Sequence, residues 1–489
     1  MNLSGIFKIF PEVKRPEEKK LGFNVKLKWT LIILASFFVL ANIPLFGLSN
    51  NALSRFKYLA IILGTDFGSI ISLGIGPIVM ASVILQLLTG SGILNIDLTT
   101  EEGKKFFQGL QKILTFFFIV FEAVIYVTLQ GLQAAPGFLP IVIAQLILGG
   151  LAIYYMDDVM TKWGFGSGVS LFIAAGVAWR LFSSAFQFID AQGRDCLLTF
   201  TSSNILCPGK VLILFQSVIM QLNTEFLSAA AAIIVTVGIF LAIVWAQSLK
   251  VEVPLSFGRV RGYNIKWPLQ FFYSSNIPVI LTAALIANIQ LFGGIVENAA
   301  APCINAVVNA TATGASCVGG AKVASFFTFL GHFNSSGTPV SGLAFWMNAP
   351  QLLELIIRNS FLPIYLLQGL THILFFVVLS TLFAVFWVRT SGMDAKSQAH
   401  KILSSGLQVS GFRQDERILE SILERYILPL TVMGGVAIGL LAAVSDLLGA
   451  LVSGTAVLLV IMITFQFYQN IAQQHQVDMS PSLRKFIGG

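Results

Sequence analysis

The side chains able to do chemistry inside the apolar stretches of this 489-residue chain are few. Glu122, within the apolar run 106–131, is the clearest ionisable one. Asp157-Asp158, Arg389 and Asp446 stand at the ends of such runs, where water reaches them. A charge at the centre of a bilayer costs at least about 2.5 kcal/mol on insertion scales, so Glu122 must face a cavity or a polar partner. Asn288 is the candidate partner, and a protonated or hydrogen-bonded structural Glu between helices is the alternative. Proton- or ion-coupled transport calls for several buried acids, and here there is one. Hydrolytic chemistry is as thin. The chain has no His-Glu-x-x-His zinc motif and no Gly-x-Ser-x-Gly elbow. Of its four His, only His372 lies inside an apolar run. Ser167, in Gly166-Ser167-Gly168, has no evident base beside it, and small residues there suit close helix packing. Nothing calls for a cofactor.

Two further groups of residues carry chemistry outside the apolar runs. Cys196 and Cys207 fall in one connecting segment, and Cys303 and Cys317 in another. No His lies near either pair at ligand spacing, so metal binding is not expected. Arginines beside glycines recur in Gly258-Arg259-Val-Arg261-Gly262 and in Gly411-Phe-Arg413. Arg gives bidentate phosphate contacts, and Gly lets the backbone approach a surface closely.

The elements that position these residues are membrane spans. Hydrophobic residues make up 56% and charged residues 11% of the chain, with mean hydropathy +0.82. That composition excludes an ordinary soluble protein. Apolar runs near 29–48, 74–94, 106–131, 138–156, 168–190, 227–249, 274–295, 361–388, 427–448 and 451–472 are read as ten helical spans. The Lys- and Glu-rich start is not a cleavable signal peptide, so it is expected to be retained. With both termini cytoplasmic, all but seven of the 30 Lys and Arg fall inside, as the positive-inside rule requires. The seven are Arg55, Lys57, Arg180, Arg194, Lys210, Lys322 and Arg358. The net charge of +7 is therefore mostly cytoplasmic, suited to anionic lipid or to an RNA-containing partner.

In this orientation the four cysteines lie on the oxidising external side, where two loop-closing disulfides are expected. Segments 191–226 and 296–360 are external, and 250–272 and 390–426 are internal. Ten spans divide into halves, 1–190 and 227–489, joined by an external hinge loop at 191–226. Two five-span halves enter from opposite sides, so any repeat between them is inverted, although no residue-level identity links 29–190 with 227–472. The run 52–64 is too short to cross a bilayer, and Thr65-Asp66-Phe67-Gly68 separates it from the Gly74-Ile75-Gly76-Pro77 start of the next span. It reads either as a re-entrant half-helix beside a pore or as a short surface helix in an external loop.

Five motifs in order now resemble the SecY-type protein-conducting channel in its archaeal form. They are Leu73-Gly-Ile-Gly-Pro-Ile-Val79, Phe107-Gln-Gly-Leu-Gln-Lys112, Gly166-Ser-Gly-Val-Ser-Leu-Phe-Ile-Ala174, Ser275-Asn-Ile-Pro-Val-Ile280 and Gly454-Thr-Ala-Val-Leu-Leu459. The resemblance implies an all-α polytopic channel in a cell membrane, not an enzyme, that passes unfolded polypeptide across the bilayer and sideways into it. It implies a plug at 52–64 and a waist of apolar side chains at Ile75, Val79, Val169, Ile173, Ile280 and Leu459. All six are aliphatic, as a dewetting gasket requires. It places a lateral gate between spans two–three and seven–eight, with Met80, Glu122 and Asn288 at its polar cluster. Met80 departs from the small polar residue usual in the family. Arg259, Arg261 and Arg413 match basic loop tips that engage the ribosome. The implied partners are two small single-span subunits (SecE-like and SecG- or beta-like), the ribosome, signal sequences and nascent chains, the signal recognition particle receptor, and lipid. The alternatives are an ion-coupled solute carrier with inverted repeats and, with a base beside Ser167, an intramembrane protease.

Overall fold

The structure is a computed structural model. It describes residues 12–17, 21–51, 53–54, 60, 63–94, 96, 100–129, 131–189, 195–196, 206–257, 264–274, 276–308, 329–334, 337–404, 407–409 and 415–478.

Long apolar runs become long helices because a chain in lipid must satisfy its backbone groups internally. In chain order the main helices are α1 (Phe23–Ala41), α2 (Gly76–Gly90), α3 (Glu101–Thr128), α4 (Leu139–Trp163) and α5 (Gly168–Phe186). After them come α6 (Lys210–Met220), α7 (Asn223–Ser248) and α8 (Ile277–Val308). Two short helices, α9 (Leu343–Met347) and α10 (Leu352–Ile357), precede α11 (Ile364–Thr390), α12 (Ala395–Ser404), α13 (Glu416–Leu448) and α14 (Gly454–Asp478). Among the described residues, nine helices are long and apolar enough to cross a membrane. The tenth expected span, α2, has 15 residues, about 22 Å at 1.5 Å per residue, and is buried along most of its length.

Several boundaries differ from the hydropathy reading. The first span starts six residues earlier, at Phe23, and stops at Ala41. Pro44 disfavours helix at Ile43, and Gly47 has φ +83°. The segment read as an external hinge loop, 191–226, contains α6, which packs against α7. Helix α8 continues to Val308, so Cys303 stands on a helix rather than in a loop.

The all-α architecture carries three small sheets that the sequence reading did not include. Strand β1 (Leu48–Asn51) pairs with β2 (Leu132–Ala134), and β5 (His332–Phe333) with β6 (Pro339–Ser341). The third sheet has the order β4-β3-β7, from Lys250–Phe257 (β3), Asn264–Gln270 (β4) and Leu407–Val409 (β7), all antiparallel. Val253 and Leu269 from this sheet bury against Leu419, Leu423 and Ile427 of α13.

Helices α11 and α13 form the closest helix pair. A Cβ at Gly435 would lie 2.9 Å from Thr381 Cα, and one at Gly439 would lie 3.0 Å from Val377 Cα. Small residues allow this approach in lipid, where there is no hydrophobic drive between helices. Ser380 Oγ then donates to Gly435 O at 2.9 Å.

Candidate functional site: an apolar constriction and its polar flank

Four helices bring the six predicted waist residues into one contiguous apolar cluster. Ile75 is the N-cap of α2 and Val79 lies one turn on; Val169 and Ile173 stand at the same spacing on α5. An i, i+4 spacing puts both members of each pair on one helix face. Ile280 comes from the first turn of α8 and Leu459 from α14. Ile75, Val79, Ile173, Ile280 and Leu459 are all buried, and half-buried Val169 packs against them.

The polypeptide before α2 is folded onto this cluster. Thr65 N–H donates to Ala60 O at 3.0 Å, and Thr65 Oγ1 to Ile71 O at 2.7 Å. Ile75 N–H donates to Leu63 O at 3.0 Å. Gly74 has φ +55°, and a Cβ there would sit 2.3 Å from Leu63 O, so only glycine fits. A Cβ at Gly64 would be 3.8 Å from both Ile75 Cγ2 and Ile173 N, which places the 63–65 turn against the constriction. Leu53, Ala60 and Leu63 are buried with Leu73, Ile119, Ala123 and Tyr126 in a second apolar cluster. The half-helix expected at 52–64 falls largely on residues 52, 55–59 and 61–62, outside the described residues; Ala60 is helical.

Glu122 is fully buried on α3, and its Oε2 would lie 3.2 Å from a Cβ at Gly76. The carboxyl thus sits beside the first turn of α2, where the helix dipole favours an electronegative group. Neither carboxyl oxygen has a hydrogen-bond partner. Asn288 is therefore not hydrogen-bonded to it: the Asn288 amide donates to Ala284 O of its own helix at 2.9 Å, because a side chain one turn below offers the nearer acceptor. Met80 is half-buried, next to Val79. The hydrogen bond that joins α2 to α3 is one the sequence reading missed, Gln111 Nε2 to Ser82 Oγ at 2.7 Å. Gln86, on α2, was also missed; it is buried and its Oε1 has no partner. Lone amides on apolar helix faces were the available signal.

The other acids are taken up in the frame. Asp157 Oδ1 accepts Val169 N–H at 2.9 Å, satisfying an amide in the first turn of α5. Asp158 holds Lys162 at 2.9 Å and Val13 N–H at 3.1 Å. Ser167 caps α5 by accepting Ser170 N–H. At the same end of the bundle as α6, Cys196 and Cys207 form a disulfide with Cα atoms 5.4 Å apart. The side chains of Cys303 and Cys317 lie outside the described residues, as do Arg259, Arg261 and Arg413. The flanking strands β3, β4 and β7 form one sheet, so the 258–263 tip is carried on a paired hairpin. The N-cap of α13 is Asp415, whose side chain accepts Arg417 N–H at 3.0 Å.

A family model described as SecY matches residues 69–468. This chain belongs to the SecY family. The SecY protein translocase subunit of Methanothermobacter thermautotrophicus is 39% identical over 488 residues, covering 99% of this chain and 98% of that one. Its counterpart in Pyrococcus furiosus is 33% identical, with 98% and 97% covered. A solved structure described as a protein-conducting channel superposes with TM-score 0.79 at 33% identity, covering 99% of this chain and all of that one. Sec61 in a canine ribosome–channel complex from the endoplasmic reticulum gives TM-score 0.75 at 32% identity, again over 99% and 100%. The chain is a multi-pass, archaeal-type SecY translocation channel subunit, not an enzyme and not a solute carrier.

Proposed function

We propose that the cluster of Ile75, Val79, Val169, Ile173, Ile280 and Leu459 is the waist of the polypeptide path and that the 52–64 segment is its plug. Six aliphatic side chains converging from four helices, with the 63–65 turn set against Ile75 and Ile173, are the observation that carries this reading. A ring without polar atoms dewets when closed, blocking ions, yet parts around an extended chain because it makes no directional bonds.

The lateral gate lies between α2–α3 and α8–α11. Glu122 and Gln111 supply the polar contacts of its α3 wall, and Asn288 those of α8. Residues 1–190 and 227–489 act as the two halves, with 191–226 as the hinge. The end carrying the Cys196–Cys207 disulfide is external and the sheet end is cytoplasmic, with both termini inside and the whole in the plasma membrane. Arg259, Arg261 and Arg413, on and beside the sheet, dock the ribosome, which supplies the driving force. The resemblance to ribosome-bound Sec61 supports that partner. Two small single-span subunits, signal sequences with their nascent chains, and the signal recognition particle receptor complete the assembly.

Ion conductance in planar bilayers tests the waist. Ile280→Asn places an amide in the ring, and the resting leak rises several-fold over the unsubstituted channel. A double variant, Ile75→Asn/Ile280→Asn, that is folded and as silent as the unsubstituted channel removes the assignment.

A further inference from the structure

A second site lies about two turns inside the disulfide end of the C-terminal half, away from the waist. His372, on α11, is 3% exposed and lines a cavity of about 880 Å³ with Asp446, Ser453, Thr455, Glu354 and Arg358. His372 Nδ1 is 2.7 Å from Met347 O. A carbonyl only accepts, so Nδ1 carries the hydrogen. The opposite nitrogen, Nε2, has no hydrogen-bond partner and faces Asp446 Oδ2 at 3.8 Å.

Asp446 is itself oriented. Its Oδ1 accepts Thr455 N–H at 2.8 Å and its Oδ2 accepts the Thr455 hydroxyl. Two electron-pair donors, each fixed from behind, therefore point at one another. The gap is too long for a direct N–H···O bond, which spans about 2.7–3.2 Å. A zinc ion about 2.1 Å from each atom would hold them roughly 3.4–4.2 Å apart, from tetrahedral to linear geometry. An imidazole whose far nitrogen is tied to a carbonyl is the arrangement that metal-ligating histidines adopt. Ser453 Oγ, also buried and without a partner, lines the same cavity and is a third oxygen donor. No group of three His, Cys, Asp or Glu comes together among the described residues, so water in the cavity would fill the remaining positions.

We infer that this cavity binds one divalent transition-metal ion, zinc fitting best, between His372 Nε2 and Asp446 Oδ2. Imidazole favours zinc over the hard, oxygen-seeking magnesium and calcium ions. Bound there, the ion ties α11 to the corner between α13 and α14, and through Met347 to the α9 segment. Gln368 Nε2 and Thr371 Oγ1 already hold that segment by Phe345 O and Trp346 O, at 2.9 and 3.1 Å.

The test is equilibrium dialysis of zinc against the full chain purified without a polyhistidine tag. The expected result is one ion per chain, retained in excess magnesium, and retained when His332, His400 and His475 are all replaced by Ala. His372→Ala should lower the affinity at least about tenfold, since loss of an outer-shell partner alone costs 10- to 100-fold. Should His372→Ala fail to fold, His372→Gln keeps a donor for Met347 O without the imidazole, and its melting temperature reports its integrity. No stoichiometric zinc, or unchanged affinity in a folded His372 variant, overturns the proposal.

Discussion

Gly74→Ala isolates the join between the plug segment and the waist. Gly74 has φ +55°, a left-handed conformation that costs a non-glycine residue roughly 1–2 kcal/mol. A Cβ there would also fall 2.3 Å from Leu63 O and 2.8 Å from Thr65 Cβ, so the backbone of 63–65 has to move. Those residues include Leu63, whose carbonyl receives Ile75 N–H, and Gly64, set against Ile75 and Ile173. The strain and the lost hydrogen bond, itself about 0.5–1.5 kcal/mol, sum to roughly 2–3 kcal/mol against the closed arrangement. At 1.4 kcal/mol per factor of ten, the closed-to-open ratio falls about 30- to 150-fold. Single-channel recording would read this as a rise in resting open probability. Gly137→Ala is the control, because Gly137 shares the positive φ of +85° but a Cβ there meets nothing within 4 Å. Equal, silent traces from both variants, with both folded, would refute the claim that the 63–65 turn secures the closed state.

Two other outcomes follow from the geometry. Reducing the Cys196–Cys207 disulfide, which closes a span of 11 residues, should cost roughly 2–4 kcal/mol and lower the melting temperature, and non-reducing peptide mapping should recover that linkage. Arg259→Glu/Arg413→Glu should weaken ribosome co-sedimentation and flatten its salt dependence without altering the melt, since Asp415 rather than Arg413 caps α13.

What was legible in the sequence followed from length and periodicity. A run of some twenty apolar residues has one outcome in lipid, so α3, α7 and α13 could be placed without tertiary information. Glu122 announced itself because a carboxyl there is costly. The start of α2 was legible from Gly74, Gly76 and Pro77, but its 15-residue length was not, since apolar residues flank it that turn rather than spiral. The alternation Val251, Val253, Leu255 across from Ile265, Trp267, Leu269 was a strand signal, overlooked in a segment taken only as a cytoplasmic loop. The His372–Asp446 pair was illegible because 74 residues separate its members and only the α11–α13 packing joins them. The Glu122–Asn288 pairing shows the converse, for a plausible polar match across spans yielded to a nearer backbone acceptor.

The central claim is that a polypeptide passes through the ring formed by α2, α5, α8 and α14. Site-specific photocrosslinking with a stalled secretory nascent chain tests it most directly. A photoreactive side chain at Val79, Ile280 or Leu459, each buried in the waist cluster, should form adducts with the translocating chain. The same group at Val39 or Leu241, respectively 61% and 60% exposed on outward faces, should label lipid instead. Adducts of the nascent chain with the outward positions but not with the three ring positions would contradict the account.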